Sequence, residues 1–309
     1  MKIGYFPGCS LEATAREYDE SLTAIAGPLG VELEEIDDWA CCGSTPAHQT
    51  NHLLSVALPA RTLALAEEQG FDRVLAPCAA CFSRLATARH EMSRDAALLA
   101  EVKEIIDRPF ENSVKVVSVA ELLLELAPTI KANVKKPLKG TKVACYYGCL
   151  LVRPPDVAKA DDAEAPSSLE TVVEALGATP LAWNRKVDCC GGGLSLSRTR
   201  SVVRLGRAIL EDARDVGADA VAVGCPMCHS NLDMRQAAIA QRSSKPFTLP
   251  IMFITQLVGL ALGVETQTLG LDRHFVSSAE LLARMSAPAL PAAPKPETAK
   301  PEATQQEVP

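Results

Sequence analysis

Gly70-Phe71-Asp72-Arg73-Val74-Leu75-Ala76-Pro77-Cys78-Ala79-Ala80-Cys81 recurs 147 residues later as Gly217-Ala218-Asp219-Ala220-Val221-Ala222-Val223-Gly224-Cys225-Pro226-Met227-Cys228. In both places a glycine and an aspartate precede a short strand-type run that ends at Cys-x-x-Cys. Working outward, Leu29-Gly30-Val31 ahead of Cys41-Cys42-Gly43 matches Leu176-Gly177-Ala178 ahead of Cys189-Cys190-Gly191. Gly8-Cys9 after Ile3 to Phe6 matches Gly148-Cys149 after Val143 to Tyr147, at an offset of 140. The second copy therefore carries extra residues between Pro154 and Ser168, rich in Pro, Asp and Ala, which read as a surface loop. A repeat of this length marks one structural unit present twice.

Each copy predicts the same order: a strand ending at Gly-Cys, an amphipathic helix, a turn into Cys-Cys-Gly, a helix, a strand, then Cys-x-x-Cys opening another helix. The strands are expected at Lys2 to Phe6, Arg73 to Ala76, Lys142 to Tyr147 and Ala220 to Val223. The helices are expected at Leu22 to Leu29, Leu53 to Glu68, Val202 to Ala213 and Met227 to Ala240. Strands alternating with helices give an α/β fold: two pseudo-symmetric halves, each a small, mainly parallel sheet with flanking helices. The halves span 1–130 and 141–286, with a linker at 131–140. The segment 287–309 is Pro, Ala, Lys, Glu and Gln with almost no large apolar residue, so it reads as a disordered tail.

The composition, 309 residues with 48% apolar and 22% charged, is that of a globular protein. Eleven cysteines fall well short of the roughly 8–10% that marks a disulfide scaffold, and the count is odd. No basic start followed by an apolar stretch is visible, so the thiols are expected to meet a reducing cytoplasm. The apolar run Leu249 to Val264 is 16 residues, short of the ~20 that span a bilayer, and reads as a buried helix. A net charge of −7, with no basic block beyond Lys135, Lys136 and Lys139, argues against nucleic acid as a partner.

Ten of the cysteines form two sets of five in one order. Cys9 is followed after 31 residues by Cys41-Cys42 and after 35 more by Cys78 and Cys81; Cys149 is followed after 39 by Cys189-Cys190 and after 34 by Cys225 and Cys228. Strand ends and helix N-termini favour thiolate over thiol. Five thiolates exceed the four that a structural zinc takes. Soft sulfur ligands otherwise point to Fe–S chemistry, where four cysteines suffice for an ordinary cubane. The glycines at 43 and 191–193 would let backbone N–H groups approach inorganic sulfide.

With Tyr5-Phe6-Pro7-Gly8-Cys9-Ser10, Tyr147-Gly148-Cys149, Cys225-Pro226-Met227-Cys228 and Asn231-Leu232-Asp233, this doubled Cys-Cys-Gly pattern resembles the B subunit of heterodisulfide reductase over roughly residues 1–265. The resemblance implies an oxidoreductase acting on a disulfide or thiol substrate held between two noncubane [4Fe-4S] clusters. Cys9, Cys41, Cys42, Cys78 and Cys81 would hold one cluster; Cys149, Cys189, Cys190, Cys225 and Cys228 would hold the other. It also implies two partners, the small iron–sulfur C subunit and the flavoprotein A subunit of such a complex. The chain itself has neither a ferredoxin-type cysteine run nor a Gly-x-Gly-x-x-Gly fingerprint, so electrons would come from other chains. Two rival readings stand beside it: an electron-relay iron–sulfur subunit of a lactate, glycolate or succinate oxidoreductase, and a zinc-stabilised partner-binding scaffold.

Other residues draw blander expectations. Cys145, the eleventh cysteine, reads as a packed core thiol, with a substitute ligand as the rival. Cys225 to His229 also spells the haem c attachment pattern, but the first-copy counterpart of His229 is Phe82. His229 is read as a solvent-facing residue or a proton donor. His48 and His52 stand at i, i+4, a spacing that could hold a metal; with no third ligand adjacent they read as a solvated helix face, with protonation of a product thiolate as the alternative. Asn231 and Asp233 are read either as hydrogen-bonding support for the second site or as plain surface.

Overall fold

The structure, a computed structural model, describes residues 1–44, 47–243, 245 and 247–286. The expected disordered tail, 287–309, lies outside the described residues. The first copy runs β1 (Lys2–Tyr5), α1 (Gly8–Glu12), α2 (Arg16–Ala26), β2 (Glu32–Glu35), α3 (Ala47–Thr50) and α4 (His52–Glu68). It continues with β3 (Arg73–Leu75), α5 (Ala79–Arg94), α6 (Ala96–Ile106), β4 (Lys115–Val117), α7 (Val119–Glu125) and α8 (Ala127–Asn133). The second copy runs β5 (Lys142–Tyr146), α9 (Pro155–Ala158), α10 (Ser168–Ala175), β6 (Thr179–Pro180), α11 (Thr199–Asp215) and β7 (Ala220–Val223). It closes with α12 (Pro226–Asp233), α13 (Gln236–Ala240), β8 (Ile251–Phe253), α14 (Ile254–Leu262) and α15 (Ala279–Ser286).

Each copy builds a four-stranded sheet, ordered β2-β1-β3-β4 and β6-β5-β7-β8, and every pairing is parallel. The expected α/β fold with two matching halves is present. Central strands such as Ala220–Val223 are buried throughout, as parallel strands covered by helices on both faces require. In both sheets the order reverses beside the first strand. At such a switch point neighbouring loops leave in opposite directions and open a crevice beyond the carboxyl ends of the strands. Cys9, Cys41-Cys42 and Cys78 follow β1, β2 and β3; Cys149, Cys189-Cys190 and Cys225 follow β5, β6 and β7. Distant cysteines therefore meet because the sheet collects those three strand ends.

The copies pack reciprocally. α2 lies on α14, and its counterpart α10 lies on α7 and α8, the same helix-on-helix contact made twice about a pseudo-two-fold axis. One continuous apolar core runs through both. The Ser21 and Thr255 hydroxyls meet at 2.7 Å inside the α2–α14 contact, so even the polar atoms there are paired.

Some expectations shift. The Leu249 to Val264 run is buried as expected but begins as a strand, β8, before turning into α14. Among the described residues, no helix is long and apolar enough to cross a membrane. The Met227 to Ala240 helix is broken into α12 and α13. The insert after Pro154 is not wholly loop: α9 forms there and packs on α5. In the linker, α8 extends to Asn133, and the Lys135 and Lys136 amides both donate to the Ala261 carbonyl, at 2.8 and 2.9 Å.

Candidate metal centre

In the first half, the chain leaves β1 through Phe6-Pro7-Gly8. Gly8 adopts φ +66°, and a Cβ there would stand 2.8 Å from the Cys81 sulfur, closer than any real contact. Cys78 caps the N-terminus of α5. Its thiol is driven down by the Cys81 thiol and by the Cys81 and Ala80 amides. The Cys42 and Cys81 sulfurs are 3.5 Å apart. Cys42 is pushed down to about 7 by the Cys81 thiol, the Ser44 amide and the Arg84 guanidinium. Cys9 and Cys41 are exposed, whereas Cys42, Cys78 and Cys81 are buried.

The second half repeats this geometry. Gly148 has φ +64°, and its Cβ would meet the Cys228 sulfur at 3.0 Å. Cys225 caps α12. Cys190 and Cys228 are 3.5 Å apart, and Cys149 and Cys189 are 4.0 Å apart. The Gly191 amide donates to the Cys189 sulfur at 3.3 Å. Cys189 is pushed down to about 6 by the Cys149 thiol and by the Gly191 and Gly192 amides. Cys189 is exposed and Cys149 half-buried, while Cys190, Cys225 and Cys228 are buried. Each site thus has a buried floor of three sulfurs and two sulfurs nearer to solvent.

Two thiolates that share a tetrahedral ion with bonds of ~2.3 Å stand roughly 3.8 Å apart, so the sulfur pairs have the spacing of shared metal coordination. Among the described residues no three His, Cys, Asp or Glu side chains close around a point suited to a single ion. Sulfurs standing in pairs, with backbone N–H groups aimed at them, fit a multinuclear sulfur-ligated cluster better than a structural zinc, which draws four ligands to one centre. The left-handed glycines leave the room that this needs. Gly148→Ala is expected to cost about 1–2 kcal/mol in backbone strain alone and to displace the Cys228 sulfur, lowering metal content in the second half; metal analysis and chemical denaturation check both.

Between the sites stands a residue that the sequence did not single out. Tyr18, fully buried on α2, is within hydrogen-bonding reach of the Pro77 carbonyl at 3.4 Å and the Gly224 carbonyl at 3.2 Å. These carbonyls are repeat equivalents, each immediately before a Cys-x-x-Cys. A side chain on a two-fold axis can come from only one copy, and α10, the counterpart of α2, begins only at Ser168, after the insert, and carries no aromatic residue. The asymmetry of the repeat at that position was the only signal available. The Tyr18 ring stacks on Phe253 at 4.1 Å, and Phe253 stacks on His229 at 4.3 Å.

His229 is therefore not solvent-facing. It is buried, with Nε2 3.1 Å from the Ile251 carbonyl, which makes Nε2 the protonated nitrogen. Burial, with His274 adding to it, holds its pKa down at about 3, so the ring is neutral and its one proton is committed. His48 is exposed on α3, and His52 opens a separate helix and pairs with Glu91 at 2.9 Å. The i, i+4 spacing does not lie on one helix because Asn51 caps α4 between them. Asn231 supports the second site: its amide donates to the Cys190 carbonyl at 3.2 Å and approaches the Cys190 sulfur at 3.7 Å. Asp233 is buried and accepts from the Phe275 and Val276 amides, at 2.7 and 3.0 Å. Cys145 is fully buried in β5, its thiol pushed up by burial, as a packed core thiol should be.

Two equivalent groups of five cysteines, each at the strand ends beside the switch point of a parallel sheet, define a duplicated cysteine-rich protein. The family model described as "Cysteine-rich domain" (CCG) matches residues 3–86 and again 143–233, and the chain belongs to that family. Within it the chain is a protein like the B subunit of heterodisulfide reductase, as its motifs implied. It is 27% identical over 92% of its length to the B subunit of the ferredoxin/F(420)H(2)-dependent CoB-CoM heterodisulfide reductase of Methanosarcina acetivorans, covering 97% of that protein. It is 29% identical over 86% of its length to a heterodisulfide reductase B-subunit-like protein of Archaeoglobus profundus, covering 92%. It is 32% identical over 91% of its length to the 8-methylmenaquinol:fumarate reductase membrane anchor subunit of Wolinella succinogenes, covering 99%. In fold, it superimposes with a TM-score of 0.73 on a hypothetical protein from Helicobacter pylori at 13% identity, over 89% of this chain and 52% of that one.

Proposed function

We propose that each five-cysteine set holds one noncubane [4Fe-4S] cluster and that the pair exchanges electrons with a disulfide or thiol substrate. The chain would be the catalytic iron–sulfur subunit of a heterodisulfide reductase-like complex, served by a small iron–sulfur C subunit and a flavoprotein A subunit. The observation that carries this reading is the Tyr18 hydroxyl, within reach of the backbone carbonyl ahead of both Cys-x-x-Cys turns. That shared contact supports a pair of neighbouring sites. Reducing a disulfide to two thiols takes two electrons and two protons, and clusters supply electrons one at a time, so two adjacent sites match the demand.

The chain's own residues divide the work. Cys42, Cys78, Cys81, Cys190, Cys225 and Cys228 form the buried floors, and Cys9, Cys41, Cys149 and Cys189 lie where a substrate or partner can approach. The amides of Gly191 and Asn231 donate toward sulfur and stabilise its negative charge. Anaerobic purification should return about eight irons and matching acid-labile sulfide per chain, as two four-iron clusters require; zinc without sulfide would sink the reading and favour the scaffold.

The relation to the fumarate reductase anchor protein, at 32% identity over 99% of its length, favours a second reading, in which the same clusters relay electrons within a fumarate- or succinate-type complex. Disulfide cleavage driven by reduced viologen separates the two. Activity with full clusters supports catalysis, and full clusters without activity supports the relay.

A further inference from the structure

The two halves match in fold but not in charge. Arg84 stands three residues after Cys81 on α5, and Asn231 stands three residues after Cys228 on α12, so the repeat places them at one register position. In the second half that position faces the vicinal cysteines: the Asn231 amide reaches the Cys190 carbonyl at 3.2 Å and the Cys190 sulfur at 3.7 Å. The same position in the first half turns Arg84 toward Cys42, whose thiol is pulled down first by the Cys81 thiol and then by the Ser44 amide and the Arg84 guanidinium. Arg84 is half-buried, and among the described residues it makes no ion pair. A full, unneutralised positive charge thus stands where the second half has a neutral amide. The residues ahead of the vicinal pairs tilt the balance the same way. Cys189 is pulled down chiefly by the Cys149 thiol, and the Asp188 carboxylate just before it opposes that shift, whereas the matching residue ahead of Cys41 is Ala40. Around the second site Arg185 pairs with Asp188 and Arg153 with Glu164, each at 2.6 Å. Arg235 has no acid partner among the described residues, but it lies a turn beyond Asn231, which stands between it and Cys190, and it donates to the Ser195 carbonyl and hydroxyl at 2.7 and 2.9 Å.

We infer that Arg84 is a positioning residue for electrons: held against the first vicinal pair, it raises the reduction potential of the first five-cysteine site above that of the second, so that electrons collect at the first. The inference rests on the proposed function, since it needs a cluster in each set. Reduction adds negative charge to a cluster, and a nearby cation favours that state for the same reason that it favours thiolate over thiol. Net charge and hydrogen bonds to sulfur are the levers by which a protein sets such potentials. Amide donors reach sulfur in both halves, so the charge at the position of Arg84 and Asn231 is what distinguishes them. One electron passing from the second site to the first oxidises the one and reduces the other with no atom moved, and the partner subunits of the proposed complex supply it. Two sites of equal potential would share that electron evenly. An unequal pair holds it at a defined place until the second electron arrives, which gives a direction to a duplicated fold that has none of its own.

The test is a redox titration of the anaerobically purified, cluster-loaded chain, followed by electron paramagnetic resonance and visible absorption, with iron and sulfide measured on the same samples. The parent should titrate in two one-electron steps at least tenfold apart in equilibrium constant, a separation of ~59 mV. Arg84→Gln should lower the upper step by at least tenfold, again ~59 mV, and leave the lower step in place. Arg84→Lys should stay within about threefold of the parent, since lysine keeps the point charge. Asp188→Asn should raise the lower step, because it removes the anion and frees Arg185. All three variants should keep parental iron, sulfide and circular dichroism, so that a moved step reports charge and not folding. A single step shared by both sites would overturn the inference. So would an Arg84→Gln chain that titrates like the parent or moves the lower step, or an Arg84→Lys shift as large as that of Arg84→Gln. In each of those cases full iron and sulfide leave the proposed function standing. Loss of iron or sulfide from Arg84→Gln would also overturn it, because the residue would then hold the site and not set its potential. Zinc without sulfide in the parent overturns the proposed function and the inference with it.

Discussion

A Cys42→Ala variant is expected to purify with about half the iron and half the acid-labile sulfide of the parent chain, and Cys190→Ala with the complementary half. Both side chains are buried, and each has its sulfur 3.5 Å from the second cysteine of its Cys-x-x-Cys. Both thiols are driven down chiefly by the neighbouring Cys81 or Cys228 thiol. Each thus lies in the buried floor of its site with its thiolate form favoured. Truncating a buried side chain by a single sulfur is expected to cost on the order of 1 kcal/mol, too little to unfold a domain, so loss of metal reports on ligation. Because the two cysteine sets share no residue, the effects are expected to add: the double variant should hold neither cluster, and each single variant should keep one set of spectroscopic signals. Full metal content in either single variant would end the two-site reading.

Removing the ring between the sites should have the largest effect on stability. Tyr18→Ala is expected to cost about 3–5 kcal/mol, the usual penalty for deleting a buried aromatic, because the ring is fully buried and stacked on Phe253. Tyr18→Phe keeps the stack and removes only the hydroxyl. It should cost about 1–2 kcal/mol, since the Pro77 and Gly224 carbonyls lose their shared donor. Because this hydroxyl ties one copy to the other, the alanine variant should also weaken the coupling between them. Urea unfolding followed by fluorescence and by circular dichroism should give coincident transitions for the parent and Tyr18→Phe, and separated ones for Tyr18→Ala. A Tyr18→Ala chain as stable and as cooperative as the parent would show that the halves are joined by the α2–α14 and α10–α7 contacts alone.

The central strands were legible because they are apolar and run into a glycine or a cysteine. β3 and β7 fall within a residue of the expected Arg73 to Ala76 and Ala220 to Val223. The edge strands were not. Glu32-Leu33-Glu34-Glu35 is mostly acid and reads as a turn, yet it pairs along β1, with Glu34 meeting Lys2 at 2.6 Å; charge is tolerated there because one side of an edge strand faces water. Thr179–Pro180 is too short for any period to show. His229 was misplaced because its neighbours in sequence suggest an exposed first turn, whereas the ring is covered by Phe253 and His274, which arrive from the far end of the second copy.

Sequence alone determined that one unit occurs twice, that each copy alternates strand and helix, and that ten of the eleven cysteines divide five and five, leaving Cys145 aside. Those are statements about order along the chain, and order survives in the spacing of residues. Tertiary structure decided how the five positions of each set sit, three sulfurs buried and two nearer to solvent, because that depends on which strands lie side by side at the switch point of each sheet. It alone brought Tyr18 within reach of the Pro77 and Gly224 carbonyls, one from each half. Contacts between distant residues leave no period in a single sequence, and the packing of one copy against the other is what creates them.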